Sequence, residues 1–237
     1  MLMKYVQKNT MIPANVISLR EVLREQYPEA HAHALSSGGE MGAIQTGWAC
    51  LDGMRLMQGT VAEIVDERGS AGAGLLLLAL MEAERESLRP RVALVDGADA
   101  FDPASASMET LNRLLWVRCR DANRAIRAAD LLLRDGNITR VLLDLQFCPA
   151  QALRQIPAPA WHRLRMLAEK AGTLLCAFTS FQMVPCARAR LFLEETHAVE
   201  ALDGSREGLL SELRGRVQQR GGRKGLERRL NSMAEAG

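Results

Sequence analysis

The chain has 237 residues, which is ample for one domain with a complete hydrophobic core and short for two. Its hydrophobic fraction of 48% and charged fraction of 24% are those of a soluble globular protein, and the net charge of +2 points to no particular partner. The longest apolar run, residues 75–81, is too short to cross a bilayer, and residues 1–14 lack the basic start and apolar stretch of a signal peptide. We therefore expect a cytoplasmic protein.

The five cysteines indicate buried thiols. Their number is odd, they are widely spaced and no CxxC pair occurs, which argues against a disulfide framework and against a zinc site. In a reducing compartment such thiols behave as small apolar core residues.

Residues 1–43 are predicted to form an N-terminal leader that contains one helix. Apolar residues recur at helical spacing over residues 16–27, which predicts an amphipathic helix. Residues 30–43 are rich in Ala, Ser, Gly and His and are typical of a linker. His31 and His33 are too few ligands for a metal site, so we interpret them as part of that linker.

Residues 44–203 are predicted to form an α/β core domain. Apolar runs predict strands at 60–66, 91–96, 114–117, 140–144 and 173–179. Helical patterns lie between them at 75–86, 122–134 and 161–170. Because strands alternate with helices and are continuously apolar, we expect a mainly parallel sheet with helices on both faces.

A glycine-rich turn, G-S-A-G-A-G at 69–74, joins the first strand to the first helix. In that place glycines let backbone amides curl around a phosphate at a helix N-terminus. A functional loop continues with Lys for the outer phosphates and with Ser or Thr for Mg²⁺, but here Leu75 and Leu76 follow. We interpret the segment either as a plain tight turn or as a degenerate nucleotide-binding loop made of Gly69, Ser70, Gly72, Gly74, Leu75 and Leu76.

Asp144 ends the strand 140–144 where an acid that orients magnesium would lie. An aspartate at a strand end is otherwise commonly a turn or cap residue, and both interpretations stay open.

Several segments resemble the core of the RecA recombinases, in the same order along the chain. I-Q-T-G-W with L-D at 44–52 is similar to the start of that core, T-V-A-E-I at 60–64 to the strand before its phosphate loop, and A-F-D-P at 100–103 to the loop after its second strand. Further similar segments are 92–96, 114–116, 141–144 and 174–180. The resemblance implies a RecA-like fold of the P-loop NTPase type, with a degenerate Walker A loop and with Asp144 in a Walker B-like position.

Within that group the chain is most similar to the ImuA family of RecA-like accessory proteins in translesion DNA synthesis. T-G-W at 46–48, L-D at 51–52 and L-L-W-V at 114–117 carry this resemblance. The family works with a Y-family polymerase-like protein and an error-prone replicative polymerase, so the resemblance implies a role in the DNA damage (SOS) response. RecA assembles through an N-terminal helix and strand, which implies that the helix 16–27 either self-associates or packs on its own core.

Three parts of the RecA-like nucleotide site are missing. Besides the two leucines, the resemblance places the water-activating glutamate at Ala98, next to Asp99, and the aromatic residue that stacks on adenine at Ser105. The glutamine that couples nucleotide to DNA falls at Phe181 or Gln182. Because phosphoryl transfer depends on positioning and charge, we predict a protein that is not an enzyme and needs no cofactor, while weak ATP or phosphate binding by the loop amides is still allowed.

The C-terminal segment 204–237 is predicted to be a basic tail. Residues 206–229 contain eight basic and three acidic residues and no aromatic residue. They either contact DNA phosphates or an acidic partner, or form a solvated, partly disordered tail. The candidate contact residues are Arg214, Arg216, Arg220, Arg223, Lys224, Arg228 and Arg229.

The sequence therefore predicts a RecA-like scaffold protein in DNA damage tolerance, without ATP hydrolysis. Two alternatives stay open. One is a DNA-dependent ATPase with an unorthodox site formed by the glycine loop, Asp99 and Asp144, and the other is a non-enzymatic interaction module similar to a cell-division inhibitor. Trp116 and Trp161 are predicted to pack in the core or an interface, and no hydrolase triad is predicted.

Overall fold

The computed structural model describes residues 43–69, 72–83, 92–194, 197 and 203–220, together with the backbone of residues 227–230. The predicted leader helix 16–27, His31 and His33 lie outside the described residues. In the part of the chain that is described, no helix is long and apolar enough to cross a membrane.

The described strands form one sheet. They are β1 (Val61–Val65), β2 (Val92–Asp96), β3 (Leu114–Arg118), β4 (Arg140–Asp144), β5 (Leu174–Thr179), β6 (Ala189–Leu193), β7 (Gly215–Gln219) and β8 (Glu227–Leu230). The helices are α1 (Ala49–Met54), α2 (Ala73–Glu82), α3 (Met108–Arg113), α4 (Ala122–Asp135), α5 (Ala150–Arg154), α6 (Ala158–Ala171) and α7 (Arg206–Glu212), with a 3-10 turn at Pro103–Ser105.

The strand order across the sheet is β3-β2-β4-β5-β1-β6-β7-β8. All neighbours from β3 to β6 pair in parallel, whereas β7 is antiparallel to both β6 and β8. The predicted α/β class with a mainly parallel sheet is confirmed, and the five predicted strands lie within one residue of their expected ends.

Two hydrophobic clusters cover the two faces of the sheet. The first contains α1 and α2 residues such as Leu51 and Leu76 against Phe178, and the second contains α4 and α6 residues such as Trp161. Every residue of β1, β2, β4 and β5 is buried because both faces are covered. The continuous apolar runs of the sequence follow from that burial.

Helix α4 shows how the local sequence places a helix on the sheet. Asp121 caps its start by accepting the Arg124 amide, and Gly136 ends it in the left-handed conformation. Its alanines, Ala125 and Ala129, are fully buried and let the helix lie close to the strands.

Two helix starts differ from the sequence prediction. Helix α2 begins at Ala73 rather than Leu75, and α6 begins at Ala158 rather than Trp161. Pro159 lies in the first turn of α6, where proline's fixed φ and missing N–H fit a helix start.

The C-terminal segment, which sequence analysis sets apart as a basic tail, contributes α7 and β7. Strand β7 pairs with β6 along its length, and Val217 is buried in the first cluster. Polar and charged residues alternate with Val217 on this strand, which hides its β character in the sequence. The sheet therefore includes residues beyond 204, where the sequence predicts the start of a tail.

Candidate functional site

The carboxyl ends of β1, β5, β4 and β2 lie side by side at one edge of the sheet. From β1 the chain turns into α2 on the first face, whereas after β5 it turns to the second face, where Val184 and Cys186 join the second cluster. Ligand sites in open α/β sheets lie at such an edge, between neighbouring strands that leave in opposite directions. The glycine turn and Asp144 both lie at this edge, as the sequence predicts.

The glycine turn joins the end of β1 to the start of α2, and Gly69 and residues 72–74 of it are described. Gly69 and Gly72 have φ of 69° and 91°, in the left-handed region that favours glycine, and Gly72 caps α2. The carboxylate of Asp66 accepts the backbone N–H groups of Arg68 and Gly69, at 3.2 and 2.8 Å. The first amide of the turn and the amide just before it are thus bound to a carboxylate of the chain itself. Ser70 lies outside the described residues.

The two leucines that follow the turn point into apolar surroundings. Leu76 is fully buried, and Leu75 is partly buried against the first cluster. Gly74 is exposed, and a Cβ added there would meet nothing within 4 Å. The helix start therefore offers a phosphate neither a cation nor a hydroxyl at these positions.

Leu213, after helix α7, lies directly against the turn. A Cβ built on Gly72 would be 2.5 Å from Leu213 Cδ2. Leu210 and Leu213 are both buried in the first cluster, and Arg206 of α7 pairs with Glu82 of α2. The C-terminal segment thus packs along α2 and covers the glycine turn with an apolar side chain.

Two buried aspartates lie next to each other on β2 and β4. Asp96 registers beside Asp144, and Gly97 donates its N–H to the Asp144 carbonyl at 2.8 Å. Asp96 accepts the amides of Ala100 and Phe101, both at 3.0 Å. The Trp116 indole N–H lies 3.3 Å from Asp96 Oδ2, so this carboxylate orders the loop after β2.

The hydrogen bonds seen at Asp144 within the described residues use one of its oxygens. Its Oδ1 accepts the Gln146 backbone N–H and side-chain amide at 3.0 and 3.1 Å. Burial raises the pKa of the Asp144 carboxyl, and the negative charge of Asp96 adds to the rise. Asp144 thus lies where a Walker B-like acid was predicted, in surroundings that disfavour its charged form.

In the loop after β2, Asp99 points away from the glycine turn. Asp99, at φ of 56°, forms a two-bond ion pair with Arg118 of β3, at 2.6 and 2.9 Å. This hydrogen bonding to Arg118 lowers the pKa of Asp99. Ala98 packs against the second cluster. Because β3 is the outermost strand beyond β2, Asp99 faces the far end of the sheet.

The other residues that the resemblance assigns lie in different parts of the fold: Ser105 after β2, and Phe181 and Gln182 after β5. Ser105 is exposed in the 3-10 turn, where its hydroxyl donates to the Asp102 carbonyl. Phe181 is half-buried, with the Arg154 guanidinium 5.2 Å from its ring centre, and Gln182 is exposed. Trp161 is buried in the second cluster, so the predicted packing role is confirmed for this residue.

A buried ion pair that sequence analysis missed holds the segment after β5. Glu63 of β1 is fully buried, and its Oε2 accepts Arg190 Nε of β6 at 2.6 Å. Its Oε1 accepts the Thr179 hydroxyl and the backbone N–H groups of Met183 and Val184, at 3.1, 2.8 and 3.1 Å. A glutamate inside an apolar strand pattern is the one sequence signal that indicates such a network.

Arg140 is a second buried charge that the sequence did not assign. Its guanidinium donates to the carbonyls of Leu80 and Ala83 at 2.7 and 3.0 Å, at the end of α2. A cation at a helix C-terminus satisfies open carbonyls and interacts favourably with the helix dipole. The helix that starts at the glycine turn is therefore tied to β4 at its other end.

The predicted basic contact residues are spread over the C-terminal strands. The Arg216 guanidinium lies 4.5 Å from the Phe192 ring centre and 3.8 Å from Glu194, and Arg220 donates to the Pro185 carbonyl. Arg214 lies just before β7, at the opposite end from Arg220. Two of the predicted set lie outside the described residues, and two lie on β8, whose backbone alone is described: Arg223 and Lys224, and Arg228 and Arg229.

All five cysteines are free and buried, whereas the sequence predicts buried thiols for most of them. Burial raises the pKa of Cys50 and of Cys148 to about 11. Among the described residues, no group of three or more His, Cys, Asp and Glu side chains forms a candidate metal site.

Compared with known proteins, the chain matches no family model and no curated protein.

Proposed function

We propose that this protein is a RecA-like accessory protein of the ImuA type, acting as a scaffold in DNA damage tolerance without hydrolysing ATP. What supports a RecA-like core is the strand, glycine turn and helix at a point where neighbouring strands leave the sheet in opposite directions. Asp144 ends β4 at the same edge, separated from β1 only by β5.

The observation that carries the absence of ATP turnover is the covering of the glycine turn. Leu213 lies against Gly72, Leu76 is buried, and the Asp66 carboxylate accepts the Gly69 amide at the start of the turn. A triphosphate placed there would find leucines at the two positions where a lysine and a hydroxyl are needed, and it would approach the Asp66 carboxylate. Charge stabilisation is the largest part of phosphoryl-transfer catalysis, so these contacts favour a scaffold.

The contacts of Asp99 favour the scaffold over the alternative ATPase. That alternative needs Asp99 to orient a water near the glycine turn, but its carboxylate is held by two hydrogen bonds from Arg118. A general base must lie within hydrogen-bond reach of the proton that it removes. Freeing Asp99 would first require breaking this pair.

Thermal unfolding of the full chain with and without ATP and Mg²⁺ tests the proposal. We expect no change in melting temperature and no phosphate release above background. The matched variant is Gly74→Phe, because position 74 is exposed, a Cβ there meets nothing within 4 Å, and the bulky ring would restrict access to the turn. A shift of several degrees in the wild type that Gly74→Phe abolishes would contradict the proposal.

Direct binding measurements test the partner part of the proposal. The full chain is mixed with a purified Y-family polymerase-like protein or with an error-prone replicative polymerase from the same host, and complexes are detected by size-exclusion chromatography. We expect a complex with at least one of them. Separate elution of all components at micromolar concentration would favour an interaction module of another kind.

A further inference from the structure

A pocket at the opposite edge of the sheet gathers three arginines from distant parts of the sequence. Its volume is about 550 Å³, and Arg55 after α1, Arg188 before β6 and Arg220 after β7 line it. This is the amino edge of β1, because the Arg188 N–H donates to the carbonyl of Val61, the first residue of that strand. The pocket is therefore separate from the glycine turn, which follows the carboxyl end of β1.

Within the described residues, no carboxylate pairs with the arginines of this pocket. Among the described lining residues none is acidic, and within the described part of the chain neither Arg55 nor Arg188 forms an ion pair. Arg220 donates to the Pro185 carbonyl, and its backbone N–H bonds to the Arg188 carbonyl at 2.8 Å. Three cations that share one opening repel each other unless an anion lies between them.

Arg55 is held in an unfavourable backbone conformation. Its φ of 49° and ψ of 60° are left-handed, and it ends α1 at a position that glycine would fill without strain. Non-glycine residues in this region cost about 1 kcal/mol, and such strain concentrates at functional sites. An arginine at this position gives the pocket a charge that a glycine could not.

The remaining wall of the pocket is apolar and fixed. Met54, Met57 and Ala189 line it, and the Gln219 side-chain amide bonds to the carbonyls of Gly53 and Met54 at 3.4 and 3.3 Å. These bonds join β7 to the end of α1, so the pocket is built from packed elements. Its volume is within the range of small-molecule sites, and methionine adapts well to flat apolar groups.

We propose that this pocket binds the phosphate group of a nucleotide, either as a free mononucleotide or as a unit of a single-stranded nucleic acid. A phosphate offers several oxygens and up to two charges, which match three arginines around one opening better than one carboxylate of an acidic peptide does. The base would lie against Met57, the partly exposed methionine of the pocket.

Binding of two probes to the full chain tests this proposal at low salt. The probes are a fluorescein-labelled oligothymidylate, followed by anisotropy, and ADP, followed by calorimetry. We expect at least one of them to bind, with the Kd raised about tenfold in Arg55→Gly and in Arg188→Gln. Binding of ADP would identify a free nucleotide as the ligand, and binding of the oligonucleotide alone would identify a strand.

Three controls make the test specific. Arg127→Gln removes the same charge from an exposed position on α4 and should leave the Kd unchanged. Arg55→Gly should lose binding without a lower melting temperature, because glycine relieves the left-handed strain. Gly74→Phe should bind like the wild type, which separates this pocket from the glycine turn and from the question of ATP turnover.

Either of two results would overturn the proposal. One is the absence of specific binding: neither probe binds the wild type more tightly than it binds the double variant Arg55→Gly/Arg188→Gln. The other is that an oligo-glutamate peptide binds in a manner that depends on Arg55 and Arg188, whereas both phosphate probes fail to bind.

Discussion

Gly72 is the residue at which the glycine turn and the C-terminal segment meet. Its left-handed φ and its contact with Leu213 are two separate reasons for glycine at this position. The sequence indicates the first reason, since glycines between a strand and a helix predict a tight turn. The second could not be predicted, because Leu213 is one of several leucines in a segment with no local relation to the turn.

Replacing Gly72 by alanine should destabilise the protein by about 2–4 kcal/mol, the combined effect of left-handed strain and overpacking. Gly74→Ala is the matched control, because position 74 is helical and open and alanine there should be neutral or stabilising by up to about 1 kcal/mol. Urea unfolding of both variants measures the difference. Equal stability of the two variants would contradict the contact with Leu213.

Asp144 should make stability depend on pH in a defined direction. Burial raises the folded-state pKa of this carboxyl above its unfolded value, so the folded state holds the proton more tightly. Stability should therefore fall as the pH rises from the unfolded pKa through the folded pKa, and stay lower above it. Asp144→Asn cannot lose a proton and should not show this fall.

Urea unfolding of the wild type and of Asp144→Asn from pH 4 to pH 8 measures this effect. The Asn variant should gain stability relative to the wild type as the pH rises, and Asp135→Asn, at an exposed position, controls for the loss of one carboxylate. A relative stability that changes in the opposite direction would show that Asp144 is held in its charged form.

At the scale of single elements, the strands of the sheet differ in how well the sequence predicts them. Strands β1 to β5 are recognisable because most of their residues are apolar, and for β1, β2, β4 and β5 burial on both faces requires this. Strand β6 was missed because Arg190 interrupts its apolar pattern, and arginine is rarely buried. Its burial depends on Glu63, which is distant in the sequence, so only the folded structure shows that the charge is paired.

Glu63→Gln should destabilise the protein strongly, by about 3–5 kcal/mol, because it leaves the buried Arg190 charge without a counter-charge. The matched control is Glu109→Gln, which breaks an exposed pair with Arg113 of 3.3 Å and should change stability by less than about 1 kcal/mol. Chemical unfolding measures both. A small effect of Glu63→Gln would mean that water reaches Arg190.

At the scale of the whole molecule, residues 204–220 belong to the folded sheet. Sequence analysis separated them because charge and glycine dominate their composition, whereas pairing between strands depends on backbone bonds that composition does not show. Strand β7 covers β6, and Leu210 and Leu213 complete the first cluster. Deleting the segment would therefore remove a strand as well as basic charge.

Truncation after residue 203 should abolish cooperative thermal unfolding and cause aggregation, because it exposes the edge of β6 and the apolar surface under α7. Truncation after residue 230 keeps every described strand and is the control. Circular dichroism melts and size-exclusion chromatography distinguish the two. A monomeric chain ending at residue 203 that still melts cooperatively would contradict this role of β7.

The position of β1 has a consequence for the order in which the chain can fold. The two strands that pair with β1, β5 and β6, both lie far behind it in the sequence. Thr179, at the end of β5, bonds to Glu63 across 116 positions of the chain, and β6 follows β5. During synthesis, β1 therefore leaves the ribosome long before any partner strand exists. Non-local pairing of this kind slows folding, and an apolar strand that waits unpaired is a site at which a chaperone would bind.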